Sequence, residues 1–178
     1  MAYYKRLAGS KVYLSPISTD DVDIFSSWVN DNEVGLFTGF HTRNISHLKE
    51  VEIIESLAKD GNHFSIITQE DDKLIGNCSF FREDNTNRSA EVGIIIGEKD
   101  YWGQGYGSEA LQLLLKFGFE HRNYNSIYLR VYSFNERAIA SYEKIGFKRQ
   151  GIFREALIRG NKKHDVLYMD ILADEYFA

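Results

Sequence analysis

Three glycines at alternate positions, Gly103, Gly105 and Gly107, separate the apolar run "EVGIII" from a stretch of helix formers that opens "SEALQ". Such a junction constrains the fold strongly. The apolar run predicts a strand buried on both faces, and the segment after the glycines predicts a helix, so the loop begins a strand-to-helix crossover in an α/β mixture. Glycine carries no Cβ and accepts positive φ. A loop built this way therefore sets backbone N–H groups and the positive end of a helix dipole at one point, where an anion, most often phosphate, can come close. The alternative is a tight strand-to-helix turn, which rarely needs three glycines in five residues.

Two familiar phosphate binders are excluded by spacing. A dinucleotide fingerprint requires G-x-G-x-x-G, and here Ser108 stands where the third glycine belongs, while the next strand, "SIYLRVY", ends in no ribose-binding acid. A P-loop requires Gly-Lys-Ser/Thr, which is absent from the chain.

Periodicity orders the rest. "KVYLSPI" predicts a first strand, and "TDDVDIFSSWVND" a helix with Thr19 as N-cap and Val22, Phe25, Trp28 and Val29 on one face. "SHLKEVEIIESLAKD" predicts a second helix with Leu48, Val51, Ile54, Leu57 and Ala58 inward and Gly61 past its end. "HFSIITQ" and "KLIGNCSFF" form a hairpin, followed by the strand "SAEVGIIIG", the glycine loop, the helix "SEALQLLLKFGFEH", the strand "SIYLRVY" and the helix "NERAIASYEKIGF". Two final strands flank "GNK", a hairpin turn. One proline, no low-complexity stretch and no internal repeat predict one domain over residues 1–178.

Composition narrows the class. At 178 residues, 43% hydrophobic and 26% charged, this is an ordinary globular composition, and a chain of this length buries roughly 70% of its unfolded surface. A net charge of -5 argues against a nucleic-acid partner, which wants a concentrated positive field. Cys78 is the single cysteine, so no intrachain disulfide forms. No run nears the roughly 18 apolar residues of a membrane span, and the N-terminus lacks a signal-peptide core. The expectation is a cytoplasmic protein with no membrane partner. The five histidines lack helical i, i+4 metal spacing, so no metal site is expected, and Cys78 reads as a core thiol. The aromatic loop "GLFTGFHTR" either walls an acceptor site or is an ordinary surface loop.

"GQGYGSEAL" after "EVGIII", with "NERAIASYEKIGF" about 30 residues on, resembles the GNAT superfamily of N-acetyltransferases, and within it the branch of ribosomal-protein N-terminal and spermidine acetyltransferases. The resemblance covers nearly the whole chain. It implies an α/β fold with a central mixed, mostly antiparallel sheet of about six to seven strands and about four helices, with acetyl-CoA as acyl donor. It implies further that Gln104, Gly105, Tyr106, Gly107 and Ser108 cradle the pyrophosphate and that Ile94, Ile95 and Ile96 offer backbone groups to the pantetheine amides, with an N–H near Ile94 for the oxyanion. A homodimer is compatible with it. Trp102 stands where the family often has Arg or Gln, and an indole packs but does not pair with phosphate.

An amine acceptor resembling lysine, with a pKa near 10.4, costs about 4.6 kcal/mol to deprotonate at pH 7, so a base or a pKa-lowering site is needed. Glu91, opening the strand that the resemblance puts beside the thioester, is the expected base, against the alternative of a solvated strand-end carboxylate. The resemblance puts Tyr142 at the CoA sulfur as the acid and Asn135 on the pantetheine arm. Seven residues apart, the two share a helix face. Their alternatives are a core ring and a helix N-cap. The function expected is acetyl transfer to a primary amine, a protein N-terminal α-amine or a small amine, by direct attack in a ternary complex. The alternative is a non-catalytic acyl-CoA-binding or sensing module.

Overall fold

The structure is a computed structural model that describes residues 3–178. The chain divides into two compact units. One takes in the described residues up to Ser79 together with Ile94–Leu113, and the other comprises Phe80–Gly93 and Leu114–Ala178. The chain passes from one to the other within β4 (Leu74–Asp84), β5 (Ser89–Ile96) and α4 (Tyr106–Lys116).

The first unit begins with β1 (Leu7–Ala8) and β2 (Val12–Pro16), and continues through α1 (Val22–Val29), α2 (Asn32–Leu36), α3 (His47–Asp60) and β3 (His63–Thr68). Its strands are neighbours in the order β1-β2-β3-β4-β5, with β1, β2, β3 and β4 successively antiparallel. The expected spacing of α1 holds, since Val22, Phe25 and Trp28 are buried. The cap differs. Ser18 accepts from the Asp20 amide and opens a 3₁₀ turn, Thr19–Asp21, ahead of the helix. In α3 the expected stripe is narrower, with Leu48 72% exposed and Glu50 buried beside Ile54. Ser46 caps this helix and Gly61, at φ +75, ends it. Tyr13, Phe25, Trp28, Val34, Ile54 and Ile67 pack in one apolar cluster, with Ile95 and Trp102 against it. Each such buried side chain contributes about 1.5–3 kcal/mol.

The second unit adds β6 (Ser126–Tyr132), α5 (Glu136–Ile145), β7 (Lys148–Arg159), β8 (Lys162–Leu172) and α6 (Ala173–Tyr176). Its strands are neighbours in the order β4-β5-β6-β8-β7. Here β5 pairs parallel with β6, joined through the α4 crossover, while β6, β8 and β7 are antiparallel. The expected final hairpin forms, but its turn is the two residues 160 and 161, with Gly160 at φ +56 and Lys162 already paired with Arg159. The helix expected to reach His121 is α-helical only to Lys116 and continues as a π turn, Phe117–His121. In that turn a Cβ on Gly118 would meet Ile127 Cδ1 at 2.6 Å.

The mixed, mostly antiparallel sheet agrees with expectation, but the described residues hold eight strands and six α-helices rather than six to seven and about four. Of the additions, β1 has two residues and α2 and α6 five and four, too short for periodicity to register.

Candidate active site

The glycine loop lies in the first unit, between the end of β5 and α4. Gly103 and Gly105 adopt φ +73 and +87, a region that side-chain-bearing residues rarely enter. A Cβ on Gly103 would meet nothing within 4 Å, and one on Gly105 only Lys11 Nζ at 3.8 Å. These two glycines are therefore needed for backbone shape. Gly107 lies close under the strand end, where a Cβ would stand 3.3 Å from Ile96 Cγ1 and 3.8 Å from Ile94 Cδ1. Gly107 is thus brought against Ile94 and Ile96 at the end of the strand. Ile95, on the other face, joins the apolar cluster.

The isoleucines are not buried on both faces as the apolar run suggested. Ile94, Ile95 and Ile96 are each half-exposed, whereas Ala90, Glu91 and Val92 earlier in β5 are buried. Trp102 fills its position in a way the sequence did not reveal. Its Nε1–H donates to the Ile96 carbonyl at 2.7 Å, and its ring meets Phe37 edge-on at 6.0 Å. Phe37 comes from "GLFTGFHTR", so this part of the aromatic loop is anchored by ring packing. The first turn of an α-helix leaves N–H groups without intrahelical partners, and at α4 the ladder starts with the Glu109 amide on the Gly105 carbonyl at 3.0 Å. Lys11, missed by sequence reasoning, donates from Nζ to the Gln104 carbonyl at 2.8 Å.

The second unit carries Glu91, Asn135 and Tyr142. Glu91 is 5% exposed, far from a solvated strand-end acid. Arg82 Nη1 reaches its Oε2 at 2.7 Å and Arg130 Nε its Oε1 at 2.7 Å. Neither arginine was anticipated, since each comes from a neighbouring strand and register decides what faces Glu91. Asn135 caps α5, its side-chain oxygen accepting from the Ala138 amide at 3.3 Å. Tyr142 is half-buried, packs its ring 6.0 Å from Phe147, and has its hydroxyl set deep enough that burial pushes its pKa up to about 12. Its phenol is therefore fully protonated at neutral pH. Cys78 is completely buried, and burial pushes its thiol far above the ordinary value, which removes it as a nucleophile.

The chain thus carries a glycine loop at a helix start and, some 30 residues later, a capped helix bearing Tyr142. Residues 11–148 match the acetyltransferase (GNAT) domain family. The chain belongs to the GNAT acetyltransferases. An uncharacterised N-acetyltransferase of Bacillus licheniformis is 30% identical over 170 residues, covering 93% of this chain and 95% of that one. A Bacillus subtilis (strain 168) protein provisionally named a ribosomal N-acetyltransferase is 32% identical over 106 residues, 60% of this chain and 57% of that one. The crystal structure of spermidine N-acetyltransferase from Vibrio cholerae, in complex with CoA and spermine, has the same fold. It superimposes with a TM-score of 0.86 at 24% identity, covering 96% of this chain and 100% of that one. The GNAT chain is accordingly an N-acetyltransferase of the mixed α/β GNAT fold, in a family that uses acetyl-CoA. Among its described residues no helix is long and apolar enough to cross a membrane.

Proposed function

We propose that the chain, as one acetyltransferase domain over residues 1–178, transfers acetyl from acetyl-CoA to a primary amine by direct attack in a ternary complex. The observation that carries this reading is the seating of Gly107 on Ile94 and Ile96, with Gly103 and Gly105 at positive φ ahead of it. A cradle of that shape suits a pyrophosphate, and the isoleucine backbone beside it suits an amide-bearing arm. Gln104, Gly105, Tyr106, Gly107 and Ser108 hold the diphosphate in this reading; Ile94, Ile95 and Ile96, with Asn135, hold the pantetheine. Bound acetyl-CoA supplies an activated acyl group; binding, orientation and proton handling fall to the protein.

Glu91 is the proposed base. Each carboxylate oxygen has two acceptor sites and gives one to an arginine, so each retains a site for the ammonium proton or a relaying water. Once the amine has lost that proton, its nitrogen forms the new C–N bond, the C–S bond breaks with its electron pair on sulfur, and the second proton shed by the nitrogen passes through water to that thiolate. The N–H of Ile94 is the proposed donor to the developing negative oxygen.

Tyr142 serves the departing thiolate. A thiol ionises near pH 8.5, so full transfer from a phenol at about 12 is uphill by roughly 4.8 kcal/mol. The phenol therefore acts chiefly as a hydrogen-bond donor to sulfur, which takes its final proton as product leaves. The acceptor is either a small amine or a protein N-terminal α-amine. The spermine bound by the Vibrio cholerae neighbour makes polyamines the first acceptors to screen. The reaction is placed in the cytoplasm, where acetyl-CoA is available and a single reduced cysteine is at home.

The test is steady-state release of CoA thiol with polyamines, amino sugars and short peptides bearing free N-termini. Saturable turnover with one class establishes the reading. Tight acetyl-CoA binding without turnover on any amine would replace it with a non-catalytic acyl-CoA-binding module.

A further inference from the structure

We infer that Lys11 is a phosphate-binding residue of the glycine loop, fixed there by Glu109 as a positioning residue; the inference rests on the acetyl-CoA reading above. Lys11 lies 93 positions before Gln104 in the chain, in the tight turn between β1 and β2, where the Gly9 amide donates to the Val12 carbonyl at 2.8 Å. That turn is clamped onto the first turn of α4. Glu109 Oε1 accepts from the Lys11 amide at 2.8 Å and the Val12 amide at 3.4 Å, and Oε2 accepts from the Ser10 hydroxyl at 2.9 Å. Burial opposes ionisation of this carboxyl, but the donors from Lys11, Ser10 and Val12 outweigh it and hold its pKa below the usual range. The turn lies close against that carboxylate, and a Cβ on Gly9 would fall 2.1 Å from Glu109 Oε1 and displace it.

The clamp sets the Lys11 ammonium over the loop. Nζ lies 2.8 Å from the Gln104 carbonyl oxygen, 5.2 Å from the centre of the Tyr106 ring and 3.8 Å from the Cβ position of Gly105. An ammonium carries three donors, and the carbonyl takes one. Its location is the argument. A cation at a helix N-terminus opposes the helix dipole, and an anion beside it, Glu109's own carboxylate and in this inference a bound phosphate as well, makes the placement favourable. A carboxylate engaged in three bonds and a lysine carried in on the β1–β2 turn together set a positive charge beside the loop. The ligand group is a phosphate ester or diphosphate oxygen.

Calorimetric titration of CoA, dephospho-CoA and pantetheine into wild type, Lys11→Met and Lys11→Arg tests this, at two salt concentrations. Lys11 is exposed, so both variants should stay folded, with a Tm within about 3 °C of wild type. The expected result is about tenfold weaker CoA binding by Lys11→Met with a shallower salt dependence, near-wild-type binding by Lys11→Arg, and identical pantetheine binding by all three. A loss that persists with dephospho-CoA puts the contact on the diphosphate, and a loss confined to CoA puts it on the 3′-phosphate; both support the inference. Glu109→Ala should shift the ratio of CoA to pantetheine affinity in the same direction, and an unchanged ratio would remove its positioning role. Equal CoA affinity and salt dependence in wild type and Lys11→Met, or an equal loss with pantetheine, overturns the assignment of Lys11. A wild-type protein that binds no CoA instead overturns the acetyltransferase reading itself.

Discussion

The indole Nε1–H of Trp102 donates to the carbonyl oxygen of Ile96 at 2.7 Å, tying the first residues of the glycine loop to the strand end they leave. Trp102→Phe keeps the ring against Phe37 and deletes the donor. The expected loss is about 1 kcal/mol, or roughly 3 °C in a calorimetric Tm for a chain of this size. An unchanged Tm would mean that the bond does not hold the loop.

Gly97 follows Ile96 and lies under a ring. A Cβ there would stand 2.0 Å from Trp28 Cδ2, and an indole whose Nε1–H is held by Glu98 at 3.0 Å has nowhere to go. Gly97→Ala should destabilise by about 3 kcal/mol. Gly39→Ala, with nothing within 4 Å, should stay within about 0.5 kcal/mol of wild type. Denaturant unfolding of the pair measures the difference.

Glu91→Gln should lower kcat by about 100-fold or more. It also leaves Arg82 and Arg130 without their counter-charge, so Tm should fall as well. Rates are therefore to be compared at equal fraction folded. A kcat that survives would assign Glu91 to holding the two arginines.

Tyr142→Phe should reduce kcat by about 10- to 100-fold with little change in the KM for acetyl-CoA. In wild type the raised phenol pKa also sets an alkaline limit on stability. Between pH 10, where an unfolded tyrosine ionises, and about 12, where Tyr142 does, the native state holds the extra proton. Its contribution is complete below pH 10 and is lost as pH rises to 12. The stability of wild type should therefore fall relative to that of Tyr142→Phe across that window.

Asn135→Ala removes the cap on α5 at a cost of about 1 kcal/mol. If the side-chain amide also serves pantetheine, the KM for acetyl-CoA rises with it. Asn135→Asp, which keeps a capping oxygen, separates the two in a paired measurement of Tm and KM.

Where local pattern sufficed, the sequence was readable. The spacing of Val22, Phe25 and Trp28 marks α1, Gly61 and Gly146 end α3 and α5 in the left-handed conformation that glycine accepts, and Gly160 turns the last hairpin. The glycine loop was legible for the same reason, because positive φ at Gly103 and Gly105 and close approach at Gly107 are demands on single residues. What escaped depends on register and on distant segments. Glu91 faces Arg82 and Arg130 only because β4 and β6 bring them there, and Lys11 reaches Gln104 across 93 positions. The apolar run of β5 hid a division that no hydropathy pattern contains, with Ala90 and Val92 in the core and Ile94 to Ile96 half-exposed at the loop.

Thermal unfolding in parallel with acetyl-CoA, CoA, NAD and ATP tests the central claim most directly. A ligand at about 100 times its Kd adds roughly 2.7 kcal/mol, a rise of about 5–10 °C for a domain of this size. The cradle formed by Gly103, Gly105 and Gly107 against Ile94 and Ile96 predicts that rise with the two CoA species and none with the others. A rise with NAD or ATP alone, or with no ligand, would contradict it.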